Sequence, residues 1–150
     1  MVDDAIRLAM ADQPVPSFPE AAWTPLRRPL SESRVAVVTT AGLYAPGQTI
    51  FARGDQSFRA LPAGDPDVRL GHQSANFDRS GFLADPNVVY PVDRLAELQA
   101  DGVIGSLGST NLSFMGALGP TLETIRLDSG PAAAKLLRDD GVEVVLLTPV

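Results

Sequence analysis

Between Gly71 and Phe82 the chain reads GHQSANFDRSGF, which joins its single histidine to an asparagine, an aspartate, an arginine and two serines. Imidazole titrates near neutral pH, so His72 is a candidate proton donor, with Asp78 as the carboxylate that would hold the ring. Glycine-bounded loops on rigid scaffolds are where such sites are commonly built. The competing reading has His72 and Asp78 merely satisfying loop amides, and residue types alone weigh the two equally.

Two other stretches end in side chains that could bind. RVAVVTTAG (Arg34 to Gly42) and VEVVLLTPV (Val142 to Val150) are both apolar runs that deliver a threonine and a small or rigid residue at their carboxyl ends. Such runs are expected of parallel strands buried on both faces. Ligands gather past the carboxyl ends of parallel strands, so if both strands are central, Thr39, Thr40 and Thr148 face one crevice. On the family reading given below, Thr40 is the candidate binder of an anion or carboxylate. In NLSFMGALG (Asn111 to Gly119), Phe114 and Met115 could line a pocket, although such residues more often belong to a core. Ser113 lacks the GxSxG elbow of a hydrolase nucleophile, which excludes that reading. GSLGST (Gly105 to Thr110) has neither GxGxxG spacing nor the P-loop lysine, so a flexible turn is expected there.

Positioning these residues requires strands that alternate with helices. Apolar positions Leu95, Ala96 and Leu98 share a face of a helix that Asp93 would cap and Gly102 would end, before a strand over Val103 to Leu107. Further helices are expected over Pro120 to Leu127 and from Ser129 and Pro131 through AAAKLLRDD, ahead of the last strand. The order argues an α/β fold, Rossmann- or flavodoxin-like, with a mainly parallel sheet over residues 34–150. A loop-rich insertion from Tyr44 to Ala84 carries weak strand signals at Phe58 to Leu61 and Val68 to Leu70. Residues 1–33 hold a short helix signal (Asp3 to Met10) and then a proline-rich stretch, read as an extended arm anchored by Trp23 and Leu26.

Composition narrows the function classes. A chain of 150 residues with 45% hydrophobic and 20% charged residues is an ordinary globular domain. The net charge of −6, with Arg27 and Arg28 as the only cationic cluster, argues against a nucleic-acid partner. With no cysteine and one histidine, the sequence offers no disulfide, thiolate catalyst or multi-histidine metal site. No window is apolar enough for a membrane span and the amino terminus does not read as a signal peptide, so the expected location is cytoplasmic.

Five stretches in order, WTPLRRPLSESRVAVVTTAGL, GHQSANFDRSGF, NVVYPVDRLAEL, GVIGSLGSTNLSFMGAL and LLRDDGVEVVLLTPV, resemble the glycine/sarcosine/betaine reductase component B selenoproteins and the related D-proline reductase subunits. The resemblance covers roughly residues 23 to 150. It implies a reductase that cleaves a C–N bond of an amino acid or N-methylated amino acid, working with a pyruvoyl-bearing partner subunit. It also implies a selenocysteine or cysteine directly after the strand that here ends at Val150. A selenol or thiol entering a helix amino terminus there would be held as its nucleophilic anion. Thr40, His72, Asp78, Ser113 and Met115 would border the pocket.

The sequence departs from the family at that point, because position 151 does not exist. Selenocysteine is encoded by UGA, so Val150 is expected to be an artificial end created where UGA is read as stop. A chosen boundary and a short natural protein are the alternatives. The chain by itself is expected to lack reductase activity and to pair with a reductase subunit or with itself. The second functional reading is a noncatalytic subunit of a redox complex that binds a small molecule or completes a partner's sheet.

Overall fold

The computed structural model describes Leu8, residues 24–119 and residues 121–150. The Trp23 anchor lies outside those residues, as does the helix expected over Asp3 to Met10 apart from Leu8. Leu26 is 57% exposed and lines a cavity with Leu137 and Val142.

Strand β1 (Arg34–Thr39) is the centre of the main sheet. After it come β2 (Leu43–Tyr44), β3 (Arg59–Pro62) and β4 (Arg69–Leu70), then helices α1 (Ser80–Ala84) and α2 (Val92–Ala100). The chain continues through β5 (Ser106–Leu107), β6 (Thr110–Ser113), α3 (Gly130–Asp139) and β7 (Val144–Thr148). β7 runs parallel to β1 along one edge, from Val35 opposite Val144 to Thr39 opposite Thr148. The other edge of β1 is shared by β5 at its start and β6 at its end, both parallel. β3 closes that side antiparallel to β6, and its Pro62 is tolerated because the strand is at the margin. The sheet is thus mainly parallel in an α/β fold, as the alternation of elements predicts.

β1 is apolar throughout because both of its faces are covered. Val35 and Val37 join Leu43, Leu61, Tyr90, Leu95 and Ile104 on the α2 side. Ala36 joins Leu112, Ala133, Leu137 and Val142 on the α3 side. Each valine, leucine or isoleucine among them contributes on the order of 1.5–3 kcal/mol on burial.

Several expectations change in the structure. The stretch Gly105 to Thr110 is a break within a strand instead of a free turn: from Val35 to Val38 on β1, the partner advances from Leu107 to Leu112. The Asp140 carboxylate clamps the break by accepting from the Ser109 amide (2.7 Å), the Ser109 hydroxyl (2.7 Å) and Arg34 Nη2 (2.9 Å). Asp93 sits inside the first turn of α2, whose cap position is Pro91. Before α3 the chain makes a π-helical turn over Ile125–Ser129, whose Ile125 amide is accepted by Gln56 Oε1 at 3.2 Å.

β7 differs most from expectation. It is an edge strand with Leu147 68% exposed, although its residues read as fully buried. An apolar run records that a strand suits a covered sheet, not whether the chain supplies the cover. The weak strand signals at Phe58 to Leu61 and Val68 to Leu70 correspond to β3 and β4, and β4 pairs antiparallel with β2. Among the described residues no helix is long and apolar enough to cross a membrane.

Candidate functional site

β4 delivers His72 to the carboxyl end of β1. The Gly71 amide donates to Gly42 O at 3.0 Å, which ties the end of β4 to the turn that follows β1. Gly42 has φ +67°, and a Cβ there would stand 3.1 Å from His72 Cα. Only glycine meets both conditions without strain.

The His72 ring is buried and oriented by its own loop. Its Nδ1 accepts the Ser74 amide at 3.2 Å, so in the neutral ring the proton resides on Nε2. Phe77 stacks on the ring at 4.4 Å between centroids and 26° between planes. Burial, and then the nearby Arg79 guanidinium, push the His72 pKa below the ordinary imidazole value. Arg79 also donates to His72 O at 2.8 Å, which fixes the backbone under the ring. The side chain is therefore a neutral N–H donor at pH 7.

That donor has no partner among the described residues, although it is buried. It lies beside Gly116, where a Cβ would be 3.3 Å from Nε2, 3.1 Å from Thr40 O and 2.6 Å from Val150 O. The absent side chain leaves Nε2–H next to the carboxyl ends of β1 and β7. Phe77, Asp78, Gly116, Ala117 and Val150 border this cavity of about 330 Å³ with His72.

Asp78 lines the same cavity without touching the imidazole. Its Oδ1 accepts the Ser80 amide at 2.8 Å, and the Ser80 hydrogen bonds hold the carboxyl below the usual range. Ring orientation comes from Ser74 and Phe77.

The threonines serve the sheet. The Thr39 hydroxyl is buried, accepts the Ala41 amide at 3.2 Å and donates to Thr148 O at 3.4 Å. The Thr148 hydroxyl donates to Val89 O at 2.9 Å. The Thr40 hydroxyl accepts the Val150 amide at 2.8 Å and donates to Val150 O at 3.4 Å, so it fixes the β7 end against β1. Ser113 is wholly buried and accepts the Leu43 amide at 2.7 Å, and Met115 is wholly buried in the core. Of the seven residues singled out from sequence, His72 and Asp78 line the cavity, and Thr40 stands behind Val150. Sequence reading overlooked Gly116, whose only signal was its place as the first of two glycines in NLSFMGALG.

The glycine/sarcosine/betaine reductase selenoprotein B family model matches residues 10–150. The chain belongs to this family. The matched span takes in every residue that borders the His72 cavity. The D-proline reductase subunit gamma of Acetoanaerobium sticklandii is 34% identical over 137 residues, covering 89% of this chain and 55% of that protein. The sarcosine reductase complex component B subunit beta of Peptoclostridium acidaminophilum is 29% identical over 146 residues, 91% of this chain and 32% of the relative. The glycine reductase complex component B subunit gamma of Symbiobacterium thermophilum is 32% identical over 102 residues, 64% and 24% respectively. This family member therefore spans about half the length of the first relative and less of the other two. No solved structure matches it significantly.

Proposed function

We propose that this chain is part of a subunit of an amino-acid reductase complex that cleaves a C–N bond in an amino acid or N-methylated amino acid. The reducing group is a selenocysteine or cysteine that follows Val150, and the complex includes a pyruvoyl-bearing partner. The observation that carries the reading is the Nε2–H of His72, buried without a partner among the described residues, in a side chain that lines one cavity with Gly116 and Val150. Family membership and the names of the three relatives support the reaction class.

A selenol or thiol at that place would supply an anionic nucleophile for the substrate carbon, with the electron pair of the broken C–N bond going to nitrogen. His72 donates a hydrogen bond to that anion and keeps it ionised. A ring of depressed pKa is a poor proton source at pH 7, so the role differs from the proton donor expected from sequence. Phe77 covers the ring and keeps it out of water, which strengthens the donor. The departing amine takes its proton from solvent on the exposed side, near Asp78. Thr40 fixes the strand end that presents the nucleophile.

Partner binding is supported by β7, whose outer edge pairs with no other strand among the described residues and whose Val145, Leu146 and Leu147 are all exposed. An open apolar edge is a surface for pairing.

The test uses the full-length protein assembled with its partner subunits, assayed for dithiol-dependent C–N cleavage: amine release from glycine, sarcosine and betaine, and ring opening of D-proline to a linear amino acid. One of the four is expected to turn over, and His72→Gln is expected to lower kcat roughly 10²-fold with little change in KM. Absence of turnover with all four overturns the reaction class. An unaltered kcat in His72→Gln removes His72 from the mechanism.

A further inference from the structure

A second cavity of about 480 Å³ abuts the His72 cavity and shares Ser74, Asn76 and Ala117 with it. Arg53 is the only charged residue among those that line it, and Gln73, Ser74 and Asn76 add amide and hydroxyl groups. The volume suits a small ligand.

The backbone that carries Arg53 is pinned on both sides. The Asp55 amide donates to Ala52 O at 3.1 Å, and Gly54 has φ +74°, so Arg53 and Gly54 form the corner of a tight turn. Before the corner, Phe51 is wholly buried under the Arg59 guanidinium, which lies 4.1 Å from its ring centroid. After it, the Asp55 carboxylate is spent on Arg59 (3.0 Å) and the Ser57 amide (2.8 Å). Arg53 thus projects from a rigid corner into a cavity whose other lining residues are uncharged, in a chain of net charge −6.

We infer that Arg53 binds the carboxylate of the amino-acid substrate, with the Gln73 and Asn76 side chains beside it. The guanidinium can grip a carboxylate with two parallel hydrogen bonds, which the other groups in the cavity cannot. Gripped there, a small amino acid extends past Ser74 and Asn76 toward His72. Thr40, the carboxylate binder expected from sequence, has its hydroxyl committed to Val150. The inference rests on the amino-acid substrate proposed above, but not on the role of His72.

Two measurements test it. The first titrates the 150-residue chain with sarcosine, sarcosinamide and inorganic phosphate while following ¹⁵N signals of the Arg53 side chain and the amides of Gln73 to Asn76. Sarcosine is expected to shift these signals, sarcosinamide to leave them in place, and Arg53→Ala to weaken binding about tenfold or more, with Arg53→Lys intermediate. Equal binding by the amide or by Arg53→Ala overturns the inference. Phosphate binding tighter than sarcosine also overturns it, because the site is then a general anion site. The second measurement is the KM of the assembled complex with Arg53→Ala, which is expected to rise while kcat changes less. Turnover with an unchanged KM discards the subsite and keeps the reaction class, whereas carboxylate binding without turnover does the reverse. An unchanged thermal midpoint for Arg53→Ala confirms that this surface variant folds.

Discussion

Asn111 Oδ1 accepts the Val37 amide at 2.8 Å, in place of the strand neighbour that the break between β5 and β6 removes. The Asn111 amide nitrogen donates to the Tyr90 hydroxyl at 3.0 Å, so one buried side chain mends the sheet and joins it to the α2 layer. Asn111→Ala leaves both partners buried and unpaired and is expected to cost about 2–4 kcal/mol in urea unfolding. Tyr90→Phe is expected to cost about 1 kcal/mol alone and close to nothing in the Asn111→Ala background. Strict additivity would show that the two do not interact. Burial pushes the Tyr90 pKa up to about 12, so its contribution is complete below the ordinary tyrosine value near 10 and is lost as pH rises through 12.

Gly116 is the close approach on which the cavity depends. Gly116→Ala places a methyl group 2.6 Å from Val150 O, and either the β7 end or the Gly116 loop must move. The expected cost is about 1–3 kcal/mol, together with loss of reductase turnover in the assembled complex. Wild-type stability and turnover would show that the end of β7 is free to shift.

The single histidine predicts a pH signature. Its pKa is lowered in the folded state, so the unfolded chain takes up a proton that the native chain refuses. Stability is therefore level above the ordinary value of 6.5 and falls as pH drops through 6.5 toward the native value. Urea midpoints between pH 7.5 and 5.5 check this, because no other side chain of the protein ordinarily titrates in that window. His72→Gln should flatten the profile, and an equally steep profile in that variant would assign the slope to another group.

Asp140 titrates lower down. Burial raises its pKa, but the Ser109 hydrogen bonds and the Arg34 charge outweigh burial and leave it below 3.8. Its contribution is present above that value and is lost as pH falls through the lowered one. Asp140→Ala is expected to cost about 1–3 kcal/mol at pH 7 and to loosen the Ser109 region. Hydrogen exchange at the Ser109 and Thr110 amides provides the check, and unchanged protection there would deny the clamp.

The open edge of β7 predicts association. Light scattering of the isolated chain is expected to report species larger than a monomer, and Leu147→Lys, which puts a charge on the edge strand, to reduce them. A monodisperse wild-type monomer would show that this edge is inert without a partner.

Local pattern carried much of the architecture. β1 was legible because a central parallel strand must be apolar on both faces, and α2 because Leu95 and Leu98 recur at helical spacing before Gly102. The family was legible in the five ordered stretches, and the GHQSANFDRSGF loop pointed to the one histidine that lines a cavity. What stayed hidden depends on partners distant in sequence. Asp140 lies 31 positions from Ser109, and Asn111 lies 74 from Val37. Nothing near Gly105 to Thr110 announces that it is a clamped break in a strand.

The sequence by itself therefore determined the alternation of elements, the apolar faces and the family, because these follow from side-chain periodicity and ordered local motifs. Tertiary structure decided which polar groups remain available. Backbone groups brought near by folding engaged the hydroxyls of Thr39, Thr40, Thr148 and Ser113, and the Ser80 amide engaged Asp78. Among the described residues the tertiary structure left His72 Nε2–H buried without a partner, since hydrogen bonds saturate and only the folded arrangement shows which donors are still unspent.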